Sequence, residues 1–564
     1  MASTINSDNG VSSGSSGLKS TADTSGVLAL QSNGTTGLTL NTSLALGVGS
    51  GNSTGTSGQL LTSGGSGAAP TWTTVSSAPT ITATASGSIS AGAPVILNSD
   101  GTVSAVTETE STTGVVNFSY AMSAIGNNSC SFPATCLDTK RNKVYKVWIN
   151  VSDSTSLLFG FWAASGTVDV DTQRVNFGAA TQINNRTNNS LAITSVGTSQ
   201  GVLVYDSTND QLYYFYMTSL ASVRYLVISI SDDGSFKVSQ TNPLTISPST
   251  PINILSGGYY DASINRIVLI GSKYTQGNPY AWAFLWSTTT NVLTNSTESQ
   301  LSAQAANVQI GFDYSPTLGR TVIAYGYGTA MSVVTFTYNG SSYTVGALNQ
   351  LLSPTVKSDS AQVTYSSVTN TWVFQFADNT NTYPQVVVAT LSGTTFTFGT
   401  AVQVDTYNVN NKFSKPLVSG KTGNFWAVYA NFTKYGTISG TSVSFGSAVT
   451  IGGGSTFNSN PVSLYVPANN LWFLCNAYDT VEPDLSFRLS STTLKSTNFA
   501  GLASASYTNG QTATINVVGS KDTNVSGLTA GKKYYVDVRG GLTTTPTPAF
   551  VGVATSATAI LIKG

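Results

Sequence analysis

The sequence predicts an all-β fold: a seven-bladed β-propeller inserted into a small β-domain, preceded by an extended Gly/Ser/Thr-rich β region. Three observations lead there. Charged residues are only 9% of the chain, Gly, Ser, Thr, Asn and Val dominate, and amphipathic runs rich in Glu, Lys and Leu are absent, so strands are the expected regular structure. A two-strand device recurs seven times. A second mark repeats in phase with the first.

The device is a strand, a tight polar turn and a second strand. It reads CLDTKRNKVYKVWI (Cys136 to Ile149), VYDSTNDQLYYFYM (Val204 to Met217), YYDASINRIVLIGS (Tyr259 to Ser272), DYSPTLGRTVIAYG (Asp313 to Gly326), TYSSVTNTWVFQFA (Thr364 to Ala377), LVSGKTGNFWAVYA (Leu417 to Ala430) and LYVPANNLWFLCNA (Leu464 to Ala477). In five of the seven, Asp or Ser opens the turn, where its side chain bonds backbone two residues on. The closing residues are Asn142, Asp210, Asn265, Gly319, Asn370, Gly423 and Asn470, types that tolerate the left-handed conformation. They recur roughly every 50 residues, a period that with short strands alone means a propeller or a comparable array.

The second mark is VNFGAATQI (Val175 to Ile183), FTFGTAVQV (Phe396 to Val404) and VSFGSAVTI (Val443 to Ile451), with a weaker YTVGALNQL from Tyr343. Each repeat therefore reads as a hairpin, a variable loop, a third strand, a turn and an outer strand, the four strands of a propeller blade.

In chain order, residues 1–80 come first and are low in complexity, too poor in apolar surface to fold as an isolated monomer. Alternation in VLALQ (Val27 to Gln31) and GLTLN (Gly37 to Asn41) predicts short strands that need partners from other chains. Residues 81–110 hold the first part of the small domain, with two strands and an SDG turn between Ser86 and Val106. The propeller is expected over 111–495 and the rest of the small domain over 496–564.

Within a blade, the opening-hairpin turns lie on one face and the loops between second and third strands on the other. The second set varies: Asn150 to Ser156, Thr218 to Arg224, Ser272 to Trp282, Tyr327 to Ser332, Asp378 to Gln385, Ala430 to Gly436 and Ala477 to Phe487. Exposed Tyr, Trp, Asn and Asp there suit sugar binding by ring stacking with directed hydrogen bonds, since binding residues concentrate on loops of a rigid scaffold. The candidate binding residues are Tyr274, Asn278 and Tyr280 in KYTQGNPYAW, then Tyr383, Tyr435 and Asp479. Trp282, Phe284 and Trp286 alternate as a buried strand face.

Several functions are excluded. Net charge is zero, with Lys and Arg scattered, so no basic stripe follows a nucleic-acid backbone. No apolar run is long enough for a membrane helix, and MASTINSDNG has neither the basic flank nor the apolar core of a signal peptide, so neither insertion nor conventional secretion is expected. There is no histidine, which removes His-based triads, Cys-His pairs and His-ligated metals. Carboxylate chemistry is left: Glu482 and Asp484, with Asp479 nearby, read as a solvated acidic loop rather than a hydrolase pair. No enzyme activity, metal or cofactor is expected. SDDGSF (Ser231 to Phe236) reads as an ordinary hairpin turn. Of three cysteines, Cys130 and Cys136 are close enough in sequence to pair, but Cys136 and Cys475 sit in apolar strand runs and read as buried thiols.

The segments Thr24 to Ser50 (TSGVLALQSNGTTGLTLNTSLALGVGS) and Gly58 to Val75 (GQLLTSGGSGAAPTWTTV) resemble stretches of tail-fibre and related fibre proteins of tailed bacteriophages. There they build slender trimeric β shafts below a receptor-binding head. Asn498 to Ser520, Ser526 to Pro546 and Phe550 to Gly564 resemble the remainder of a small β-domain of phage structural proteins, whose first part matches Ser86 to Val106 and normally precedes it directly. The resemblance implies a homotrimeric virion fibre, attached to other virion proteins through its N-terminal region and binding a host-surface glycan or receptor. Its rivals are a purely structural virion part (head fibre, neck or baseplate), a polysaccharide depolymerase, and a bacterial adhesin exported by another route.

Overall fold

The computed structural model describes residues 27–563 apart from 33–34, 50, 75–78, 120–129, 151–159, 173, 186–200, 218–222, 239–243, 247–251, 276–277, 290–291, 306–309, 339–342, 358–359, 410–413, 431, 451–461 and 476–483. It is an all-β structure with no α-helix among the described residues. Two compact units divide it, Met1–Pro79 and Thr80–Gly564.

In the first unit Leu28–Ser32, Thr35–Leu40 and Leu46–Val48 form an antiparallel sheet, and Gln59–Thr62 pairs with Thr71–Thr74 as a hairpin. VLALQ and GLTLN were expected to pair with other chains, but they pair with each other. The short polar link between them lets one strand fold back on the next at less entropic cost than recruiting another chain. What the sheet leaves unsatisfied is its leucines. Leu28 lies opposite Leu40 and Leu30 opposite Leu38, which puts all four on one face. Leu30 and Leu38 are 48% and 42% exposed.

The second unit contains seven antiparallel sheets along the chain. Sheet 1 is Cys130–Asp138, Lys143–Asn150 and Gly160–Asp169, with Arg174–Phe177 and Thr181–Asn185 outermost. Sheet 2 is Val202–Asp206, Gln211–Met217 and Val223–Ile230, with Phe236–Val238 and Leu244–Ile246 outermost. Sheet 3 is Ile252–Asp261, Arg266–Thr275, Asn278–Thr289 and Val292–Ala305. Sheet 4 is Gly311–Ser315, Arg320–Tyr327 and Ala330–Tyr338, with Tyr343–Val345 and Asn349–Leu351 outermost. Sheet 5 is Gln362–Ser366, Thr371–Ala377 and Pro384–Ser392, with Thr395–Phe398 and Val402–Gln403 outermost. Sheet 6 is Leu417–Val418, Phe425–Tyr429, Phe432–Ser439 and Ser442–Thr450. Sheet 7 is Val462–Val466, Leu471–Cys475 and Asp484–Thr492, and its outer strand, Glu108–Ser119, comes from the chain ahead of sheet 1.

The opening hairpins follow from their turns. All seven closing residues have positive φ, from 44° at Asn470 to 78° at Gly423, the region where Gly, Asn and Asp are least penalised. Six openers, not five, bond the turn backbone. Asp138, Asp206 and Asp261 accept through Oδ1, and Ser315, Ser366 and Ser419 through Oγ. Ser419 is the one the sequence count missed. In the seventh turn Pro467–Asn469 instead form a short 3₁₀ turn ending on Asn470.

Three of the four in-phase glycines mark breaks in the outer strand, while Gly446 lies inside the continuous strand Ser442–Thr450. Gly178, Gly346 and Gly399 each donate N–H to the third strand, at 3.0, 2.8 and 2.8 Å, after which the strand resumes as a second segment. A Cβ on Gly399 would stand 2.2 Å from the Thr441 carbonyl oxygen of sheet 6, so glycine is required by close approach of the next sheet.

Each successive pair of sheets shares an apolar core, from Tyr145, Phe161, Tyr214 and Tyr216 between sheets 1 and 2 to Trp426, Trp472 and Phe487 between sheets 6 and 7. Sheets 7 and 1 share one too, where Val144, Val168 and Val175 meet Val466, Leu471, Phe473 and Cys475. The sheets thus close on themselves.

Both chain ends of this array enter one small region. Thr80–Thr84, Thr512–Asn516, Phe499–Ala503, Pro94–Leu97 and Val103–Ala105 form one sheet, and a second is built from Lys521–Asp522, Ala559–Ile562, Phe550–Ser556, Lys533–Val536 and Leu542–Thr543. The SDG turn forms as expected, with the Thr102 N–H bonded to Asp100. The two connections run side by side: Thr107 N–H donates to Thr493 Oγ1, and Thr493 N–H to the Thr107 carbonyl, both at 2.9 Å.

Candidate functional site: a cavity at the centre of the sheet ring

The first strand of each sheet is hydrogen-bonded on one side only. Its free edge carries N–H and C=O groups that need partners from side chains, water or a ligand. These edges surround a cavity of about 590 Å³, to which all seven sheets or their approach segments contribute. The wall combines aliphatic residues with glycine, serine, threonine and tyrosine. Its only charged side chains among the described residues are Asp313 and Lys415.

Lys415 lies just before the inner strand of sheet 6 and reaches back to sheet 4. Its ammonium donates to the Phe312 carbonyl, stands 4.5 Å from the Phe312 ring centroid and lies 3.7 Å from Asp313 Oδ1. Asp313 Oδ2 accepts the Tyr365 N–H of sheet 5 at 2.8 Å. Burial pushes the Lys415 pKa down, opposed by Asp313; burial pushes the Asp313 pKa up, opposed chiefly by Lys415. The two side chains keep 20% and 29% of their surface open. Across the cavity wall, Thr135 Oγ1 is buried with no hydrogen-bond partner.

A belt of tyrosines braces the turn end of the inner strands. The hydroxyls of Tyr205, Tyr260, Tyr365 and Tyr465 bond Asp210, Asn265, Asn370 and Asn470 at 2.9, 2.5, 2.9 and 3.0 Å, each reaching the left-handed residue that closes its own turn. Sheets 1 and 2 are also clamped by Arg141, whose guanidinium bonds Asp138 at 2.7 Å and Asp210 at 2.7 and 2.6 Å. Asp210 is held well below the usual carboxylate range, chiefly by Arg141, with Lys140 and Tyr205 adding against burial. A smaller hollow of about 230 Å³ lies between sheets 3 and 4, lined by Tyr259, Tyr314, Tyr338, Tyr343 and Asp261.

Of the sequence-predicted binding residues, those with described side chains, Tyr280, Tyr383 and Tyr435, line neither cavity. KYTQGNPYAW was expected to be a loop, but strand pairing continues to Thr275 and resumes at Asn278, so Tyr274 and Asn278 are strand residues facing Pro279 and Thr275. Their side chains lie outside the described set. Tyr280 is half-buried opposite Lys273, which is itself paired with Glu298 over the Trp282 ring. Trp282, Phe284 and Trp286 do form the packed strand face. Tyr383 is half-buried in a tight loop that Asp378 organises through the N–H groups of Thr380, Asn381 and Tyr383. Tyr435 is likewise in a strand rather than a loop; its hydroxyl donates to Glu110 at 2.9 Å and accepts from Asn424 at 2.8 Å, which gives it a structural task. Asp479 and Glu482 fall outside the described residues, as does the Asp484 side chain. Tyr280, Tyr383 and Tyr435 stand on three different sheets.

SDDGSF is a hairpin turn, its Asp233 bonded to the Ser235 N–H and its Gly234 at φ 81°. Cys136 and Cys475 are buried, and the Cys130 side chain is outside the described set. Among the described residues no three His, Cys, Asp or Glu side chains gather as a metal site. Sequence reading missed the Asp313–Lys415 pair. One signal pointed to it: six positions before the closing residue, the repeats carry Cys136, Val204, Tyr259, Asp313, Thr364, Leu417 and Leu464, and Asp313 is the only charge.

No family model matches the sequence, and no curated protein matches it. Among solved structures, the chain is similar to the periplasmic gluconolactonase PpgL of Pseudomonas aeruginosa, at 9% identity over 57% of this chain and 86% of that one, with a TM-score of 0.40. It is also similar to Sqt1 of Chaetomium thermophilum, at 12% identity over 66% and 86% with a TM-score of 0.39. A third is the β-propeller domain of Cps50 (Swd1) from Myceliophteria thermophila, at 10% identity over 68% and 99% with a TM-score of 0.35. At such identities and scores these likenesses say nothing about activity.

Proposed function

We propose that this chain is a virion fibre or spike protein of a tailed bacteriophage. In this reading the seven sheets are the blades of a β-propeller inserted in a small β-domain, which together form a non-enzymatic head for adhesion to the host surface. The uncovered leucine face of Leu28, Leu30, Leu38 and Leu40 carries the reading. A small sheet with one apolar face open to water gains most by burying it against copies of itself, which suits the trimeric shaft that the resemblance implies. Three heads on one shaft, repeated on a particle, turn weak contacts with a host glycan into firm attachment through high effective concentration.

The test is imaging of intact particles with an antibody against residues 111–495. Label at the free end of tail or capsid fibres supports adhesion. Particles that contain the protein by mass spectrometry but bind no antibody would assign it instead to a packed structural role.

A further inference from the structure

We propose that the central cavity is a binding site for one neutral sugar unit, recognised through hydroxyl groups by Asp313 and Lys415. This rests on the adhesion reading above only for its biological setting. Its chemistry stands on the cavity alone.

The argument begins with a gap. Lys415 Nζ and Asp313 Oδ1 are 3.7 Å apart, too far for a direct hydrogen bond. The ammonium has three donors, of which the Phe312 carbonyl takes one. Asp313 Oδ2 is occupied by the Tyr365 N–H. Oδ1 therefore keeps acceptor capacity and Nζ keeps donors, and both side chains remain partly open. A hydroxyl oxygen placed between them accepts from Nζ and donates to Oδ1, completing both groups at once. Thr135 Oγ1 adds a further buried polar atom with no partner, and Gln362 another amide in the same wall.

Charge selects among ligands. The pair is the cavity's only charge among the described residues and sums to zero. A carboxylate or ammonium ligand would neutralise one member and leave the other uncompensated where burial already penalises it. A neutral polyol satisfies both. Phe312, Tyr260 and Tyr465 bring aromatic residues to the wall, and about 590 Å³ falls within the roughly 300–1,000 Å³ usual for small-ligand sites.

The experiment uses the full chain, with saturation-transfer NMR and calorimetry against methyl glycosides of glucose, galactose and N-acetylglucosamine, and with glucuronate and glucosamine as charged comparators. At least one neutral glycoside is expected to bind and the charged sugars to bind more weakly. Asp313→Asn and Lys415→Met should each lower affinity tenfold or more. Thr135→Val removes one hydroxyl at constant shape, and should weaken binding several-fold with an unchanged melting temperature, which separates recognition from folding. The proposal is overturned if no neutral glycoside binds, if glucuronate binds most tightly, or if folded Asp313→Asn and Thr135→Val bind like the parent. A protein displayed on particles that binds no neutral glycoside would leave the display reading standing and sink this one; sugar binding by a protein absent from particles would do the reverse.

Discussion

At the scale of the residue, the left-handed turn closers and the Arg141 clamp make separable predictions. Asn370 is exposed, has φ 53° and accepts the Tyr365 hydroxyl. Asn370→Ala and Asn370→Gly both lose that bond, and only Ala bears the left-handed penalty. The Gly variant should therefore be more stable by about 1 kcal/mol in thermal melts. Asp210 has its pKa depressed in the folded state, so the unfolded chain takes up the proton first, near pH 3.9. Its stabilisation is complete above that value and is lost as pH falls toward the folded pKa. Unfolding midpoints followed from pH 6 down to 2 should fall less steeply below about pH 4 for Asp210→Asn than for the parent; parallel curves would remove the clamp from the acid response.

At the scale of the element, one strand decides whether the array closes. Glu108–Ser119 supplies the outer edge of sheet 7, and two acids pin its start. Glu108 Oε1 accepts from Asn470 Nδ2 at 2.8 Å and from Ser490 Oγ, while Oε2 faces Arg539 at 3.5 Å. Glu110 accepts from Thr422 and Tyr435. With its side chain only 1% exposed, Glu108→Ala strands buried donors and should cost about 3 kcal/mol in denaturant unfolding. Glu110→Ala, which removes two hydroxyl bonds, should cost about 1–2 kcal/mol. Gly399→Ala tests sheet spacing: its Cβ meets the Thr441 backbone, so a loss of about 1–3 kcal/mol is expected.

At the scale of the whole molecule, the division at Pro79 and Thr80 predicts independence. A chain starting at Thr80 should keep the melting temperature of the parent within a few degrees yet elute as a monomer, whereas the full chain, with its leucine face, should elute as an oligomer. Light scattering after gel filtration reads both. An oligomeric truncated chain would move the association surface into the second unit.

The seven opening hairpins were legible in the sequence because a turn is a local event: Asp or Ser bonds backbone two or three residues away, and Asn, Asp or Gly at the close relieves a clash set by its own Cβ. The outer-strand glycines were legible as a mark but not as breaks, and at Gly399 the cause is the backbone of the next sheet. KYTQGNPYAW looked like a loop because Gly and Pro punctuate it, yet register with the neighbouring strand carried the pairing through. Nothing in TETESTTGVVNFS told which open edge it would meet. That choice was made by sheet 7, the last along the chain, whose outer edge this strand fills. Nor did any local pattern bring Asp313 to Lys415, because they stand two sheets apart and meet only where all seven sheets turn their free edges inward. Local backbone sterics wrote the repeat and its turns into the sequence. Ring closure and the central cavity depend on strand pairing and burial across hundreds of residues, and those the tertiary structure alone decided.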